Sequence, residues 1–164
     1  MHIEIVETMR RDSTTRLPDV QDAVIIRALQ SFHDTLRSDD SIFSVDDPGI
    51  VSTASNPAAV AHYSGQCVVT FRDDQLKSNR EMHFRIVEKL VELLEEAGSA
   101  EVLLAKLCLI STENKRFGLW IYLEASGHSS QQAALRWGLG LAHLQQALLF
   151  LSRYFRQQVL PKIV

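Results

Sequence analysis

The chain has 164 residues, a formal charge of −3 at neutral pH, 46% hydrophobic residues and 23% charged residues. This fits one domain, read as residues 1–164, with enough chain to bury a real core, and it excludes a disordered tail, a collagen-like repeat and a disulfide-stapled miniprotein. The slight acidity gives no global attraction to nucleic acid or to an anionic membrane.

The chain opens MHIEIVETMRRD, where Glu4 and Glu7 fall in the place of an apolar signal region, so a secretory leader is not expected. A short first strand is optional here. A polar stretch, Arg11 to Leu17, runs into Pro18, and Pro18 and Asp19 suit the start of a helix predicted to reach Arg37. Its apolar stripe is Val20, Val24, Ala28, Phe32 and Leu36, widened by Ile25 and Leu29. A short strand is expected at Ser41–Val45, inside a loop-rich zone, Ser38 to Pro57. A hairpin then follows from Ala58–Tyr63 and Gln66–Arg72, with Ser64-Gly65 as its two-residue turn. Cys67, Val69 and Phe71 alternate onto one face.

Ser78-Asn79-Arg80-Glu81 reads as a capping box for a second helix. Met82, Ile86, Leu90, Leu93 and Ala97 form its apolar face, Glu88, Glu92 and Glu95 its solvated face, and Gly98 its C-cap. Strands are expected at Glu101–Ser111 and Phe117–Ala125, joined by the polar turn Thr112–Arg116. In the second of these, Phe117, Leu119, Ile121 and Leu123 face the core. Trp120 and Tyr122 fall on the opposite sheet face, where they are covered by something or form an aromatic patch.

Ser129 and Gln132 start a long last helix that reaches Leu160 before Pro161. Trp137, Leu141, Leu144, Leu148, Leu151, Phe155 and Val159 form a near-heptad seam. Leu135, Leu139, Ala142, Leu149 and Phe150 form a second apolar flank. A helix packed on one side of a sheet needs one stripe, so the surplus points to a subunit interface or docking surface, unless the first helix covers it within one chain. The partner surface is expected at Trp137, Leu141, Leu144, Leu148 and Leu151, extended by Trp120 and Tyr122. Arg136 and His143 interrupt this apolar stretch, which argues against a membrane-spanning helix.

Nothing in the pattern calls for a metal or a cofactor. The histidines make no HxH or HExxH arrangement. Cys67 and Cys108 sit in apolar runs and read as buried thiols in a reducing, bacterial-type cytoplasm. His62 and Cys67 flank the first predicted hairpin and are the nearest thing to a Cys–His pair. Gly138-Leu139-Gly140 lacks phosphate-loop spacing, and Gly138 with Ala142 reads as a flat spot for a neighbouring backbone. The terminal arginines lack interleaved aromatics, so nucleic acid is not an expected partner.

The predicted domain is α+β, with about five strands in an antiparallel sheet, three helices and a long C-terminal helix. Between Pro18 and Leu160 its order of helix, three strands, helix, two strands, helix resembles that of the class I type III secretion chaperones. It departs from them in being less acidic and in its longer second and last helices. The resemblance implies a small cytosolic protein that dimerises and holds a segment of a secreted protein. The expected function is accordingly a non-enzymatic cytoplasmic protein-binding adaptor, self-associating as a homodimer. The alternative is a small-molecule-binding or catalytic domain with a pocket between the sheet and the last helix, drawing on His143, Arg136 and Trp120.

Overall fold

The computed structural model describes residues 6–7, 23–55, 61–96 and 102–159. In chain order these form β1 (Val6–Glu7), α1 (Ala23–Arg37), β2 (Phe43–Ser55), β3 (Ala61–Phe71), α2 (Asp74–Lys77), α3 (Arg80–Glu96), β4 (Val102–Ser111), β5 (Arg116–Gly127) and α4 (Ser130–Tyr154). A π-helical turn, Phe155–Val159, continues α4. The fold is α+β. Four long strands are antiparallel, in the order β4-β5-β3-β2, and the two-residue β1 adds in parallel to the outer side of β4. The described residues hold four α-helices rather than three, because the one-turn α2 forms where a loop was expected. Asp73 caps it by accepting from the Gln75 amide at 2.8 Å.

Alternation along β5 decides how the layers stack. Leu119, Ile121, Leu123 and Ala125 are buried, while Trp120, Tyr122 and Glu124 face the other way and are less covered. All three long helices lie on the first face. α4 crosses the middle of the sheet over β5 and β3, α1 lies toward β2, and α3 lies over β4 and β5. The Trp137 indole N–H donates to the Leu123 carbonyl at 3.1 Å. Further along α4, Gly140 lets helix and strand approach: a Cβ there would meet Leu123 Cδ1 at 2.7 Å. The expected flat spot at Gly138 is a looser place, where a Cβ would rest 3.7 Å from Val24 in ordinary contact.

Several expectations are corrected. Ser64-Gly65 is not a turn but the middle of β3, paired with Val51–Ser52 on one side and Leu123–Glu124 on the other. The hairpin is β2–β3, and its connection lies outside the described residues. A Ser-Gly pair between β-prone runs fits a strand interior as well as a turn, and here Gly65 is buried on the helix side of the sheet. β2 is far longer than Ser41–Val45, because it runs on through Asp46-Asp47-Pro48-Gly49 with two register shifts that absorb the turn-prone residues. The cap of α3 is Asn79, whose Oδ1 accepts from the Met82 amide at 3.0 Å. Ser78 instead ends α2, and Glu81 pairs with Arg85. The expected helix start at Pro18, the Gly98 cap and the arginines before residue 20 lie outside the described residues. Ser129 caps α4 as expected, accepting from the Gln132 amide at 3.1 Å.

His83, at the start of α3, is buried edge-on against the Phe71 ring, with centroids 4.7 Å apart. Its Nδ1 bonds the Asn79 carbonyl at 2.8 Å, while Nε2 is buried without a hydrogen bond. Burial lowers the pKa of His83, against opposition from the Asn79 and Phe117 backbones. A histidine depressed on folding takes up protons more readily in the unfolded chain. Its contribution to stability is therefore complete above the unfolded value, near 6.5, and shrinks as pH falls below it. Denaturant unfolding at pH 7.5 and pH 5 is expected to give lower stability at pH 5, and His83→Leu is expected to flatten that difference.

Candidate functional site

The five seam residues assigned to a partner surface are core. Trp137, Leu141, Leu144, Leu148 and Leu151 are 0–5% exposed within a single chain. The reason is the position of α4 as the middle of three helices on a sheet: its seam faces strands, and the spacing marks an apolar side without saying what lies against it. The large apolar side chains that α4 exposes are Leu135, Leu139 and Phe150 of the other flank, at 50–58%, and Tyr154 in its last turn.

Trp120 and Tyr122 are where alternation put them, on the sheet face away from the helices. No described helix packs over that face. Their rings stack on each other at 5.9 Å with 17° between planes. Cross-strand neighbours frame both. Val68 and Lys106 flank Trp120, and Gln66 and Leu104 flank Tyr122. Leu104 is itself 43% exposed. The Trp120 indole N–H donates to Gln66 Oε1 at 3.2 Å, which fixes the ring across the strands.

A polar chain continues the row. The Tyr122 hydroxyl donates to Glu124 Oε2 at 2.5 Å, and the other carboxylate oxygen lies 3.4 Å from His62 Nε2. His62 Nδ1 is 3.1 Å from Ser126 Oγ. Hydrogen bonding to the carboxylate raises the Tyr122 pKa, with smaller contributions from burial and the Glu124 charge, so the phenol stays protonated through neutral pH. Arg136 donates to the Ser126 carbonyl at 2.9 Å, tying the end of β5 to the first turns of α4.

The two ends of this face differ. Near Gly118 it is dry, because the missing side chain makes room for Ile110 and Val68; a Cβ there would meet them at 2.8 and 3.0 Å. Val68 and Cys108 are accordingly buried. Near Ser126 the face is polar and open.

Glu124, Gln66 and Ser126 carry no motif in the sequence, and His62 stands out there only beside Cys67. Glu124 and Ser126 continue the outward period of Trp120 and Tyr122 and could be found on that ground. The placing of His62 and Gln66 beside them needs the β3–β5 register. The His62–Cys67 pairing does not exist, since both residues lie on β3 and their side chains point to opposite faces.

Cys67 lines a cleft between α1, α4 and the sheet, with Leu29, His33, Ile121 and Leu141. The cleft holds about 30 Å³, room for roughly two waters. Arg136, His143 and Trp120, expected to converge in such a pocket, do not line it: the first two are exposed on α4 and the third lies on the other sheet face. The two cysteines form no disulfide. Burial pushes the Cys108 thiol up to about 11, whereas Cys67 is partly exposed. No described helix is long and apolar enough to cross a membrane.

Comparison with protein-family models, with curated proteins and with solved structures gave no match.

Leu144→Asp and Leu151→Asp are expected to unfold the chain, since a charge in the core costs a large part of a typical stability of about 5–15 kcal/mol. Leu139→Asp is expected to leave it folded by circular dichroism. With a thiol reagent at pH 8, Cys67 is expected to react in the native state and Cys108 only on unfolding.

Proposed function

We propose that the chain is a non-enzymatic protein-binding adaptor of the cytoplasm that holds an extended segment of a partner protein on its uncovered sheet face. The observation that carries this reading is the Trp120–Tyr122 stack, partly exposed on a sheet face with no described helix over it. Aromatic rings give large contact area at low entropic cost and are the usual anchors of an interface. The row of Gln66, Glu124, His62 and Ser126 offers hydrogen-bonding groups beside them. The structure has two strands, not the three expected, between α1 and α3, so the order behind the likeness to class I type III secretion chaperones is not the order found; two thiols without a disulfide suit a reducing compartment.

The test is selection of peptides from a displayed random library on the immobilised protein, followed by titration of the selected peptides. Trp120→Ala with Tyr122→Ala is expected to weaken binding at least tenfold while the melting temperature moves by only a few degrees. Peptides that bind the double variant as well as the wild type would refute the reading.

One observation favours a second reading, a hydrolytic site. Ser126, His62 and Glu124 touch in the order nucleophile, base, carboxylate. Labelling of Ser126 by a fluorophosphonate, lost in His62→Ala, would support it. An unlabelled wild-type protein would dismiss it.

A further inference from the structure

The helix layer has its own outward surface, on the opposite side of the molecule from the Trp120–Tyr122 face. Along its centre runs the outer flank of α4. Leu135, Leu139 and Phe150 are 55%, 58% and 50% exposed, and Ala142 and Gln146 are exposed between them. Steps of four, three, four and four residues keep these positions on one side of the helix for about four turns. The result is a narrow apolar ridge.

The two sides of the ridge carry opposite charge. α3 lies on one side, over β4 and β5. Its exposed residues include Glu81, Glu88, Glu92, Glu95 and Glu96. Arg85 and Lys89 pair with Glu81 and Glu92, and the third cation of the helix, Arg80, is exposed at its start, leaving α3 with five Glu against three basic residues. The ion pairs found among the described residues do not involve Glu88, Glu95 or Glu96. On the other side α1, toward β2, exposes Arg27 and Arg37, with Asp34 as its one acidic residue. Near its far end α4 exposes Arg153. By the same period Arg153, three residues beyond Phe150 and seven beyond Gln146, continues the line of the ridge at its far end. Arg156, in the turn that follows, is exposed too and donates to the Asp39 carbonyl. From residue 130 to the end the sequence has no Asp or Glu.

We propose that this face is covered by a second copy of the chain, α4 ridge along α4 ridge, about a twofold axis parallel to the helices. Such an axis places α3 of each copy opposite α1 of the other. A suitable occupant must present an apolar ridge between a basic strip, set against the α3 glutamates, and an acidic strip, set against the arginines. A rotated copy of this chain presents all three in that order, which is the self-complementarity a twofold interface requires. An acidic helix would satisfy only the arginine side, and an anionic membrane would be repelled by the glutamate row. The inference is independent of the sheet-face reading, because the dimer leaves Trp120 and Tyr122 uncovered.

The test uses the full chain in sedimentation equilibrium over a hundredfold range of micromolar concentration. The wild type is expected to be a dimer. Leu139→Asp with Phe150→Asp is expected to be a folded monomer by circular dichroism, with Leu139→Ser with Phe150→Ser as the milder variant if the first does not fold. Two charge-reversed chains decide the arrangement. One carries Glu88→Lys, Glu92→Lys and Glu95→Lys; the other carries Arg27→Glu and Arg37→Glu. Each alone is expected to associate at least tenfold more weakly than wild type, and a one-to-one mixture is expected to recover the dimer. A wild-type monomer across the range overturns the proposal. So do a dimer that survives the ridge variants and charge-reversed chains that do not pair with each other. Loss of peptide binding by Trp120→Ala with Tyr122→Ala tests the sheet-face reading separately, and is expected to leave the dimer intact.

Discussion

The contact on which the rest of the structure depends is that between α4 and β5 at Leu123. The Leu123 carbonyl accepts the Trp137 indole N–H, and its side chain packs against the bare backbone at Gly140. A large helix residue at position 140 would lift α4 from the sheet and open the core below it. With α4 seated, α1 and α3 fill the space on either side, and the sheet has one covered face and one open face. Both exposed surfaces are consequences: the ridge is the side of α4 that faces away from β5, and the aromatic row is the side of β5 that faces away from α4.

Element types are legible in the sequence where period and caps agree. β5 can be read residue by residue, because its alternation is strict from Leu119 to Ala125. The start of α4 can be read from Ser129. The fate of the α4 seam cannot. Leu144 and Leu139 are the same amino acid on the same helix, and only the sheet beneath determines which is core. That information is long-range and does not appear in a helical period. The β2–β3 hairpin departs from expectation for a related reason. Gly65 permits a turn, and nothing local distinguishes that use from its place inside β3, where it lines the cleft between the sheet, α1 and α4.

The candidate site is half legible for the same physical reason. Trp120 and Tyr122 can be assigned to the outer face from β5 alone. Their partners, Gln66 and His62, come from another strand, and cross-strand register is set by the way the whole sheet assembles. His83 shows the opposite limit. A lone histidine in the first turn of α3 carries no sequence signal of burial, yet the chain places it against Phe71 and Phe117 with one ring nitrogen unbonded.

The two-residue period of β5 also separates what can change from what cannot. Trp120, Tyr122 and Glu124 alternate with Leu119, Ile121, Leu123 and Ala125, and neighbours in the chain meet different surroundings. Substitutions on the outward set alter the chemistry of the open face without reaching the packed set. A lineage carrying this fold can therefore change the chemistry its open sheet face presents through a few point changes, with the helix layer and the core carried along unaltered.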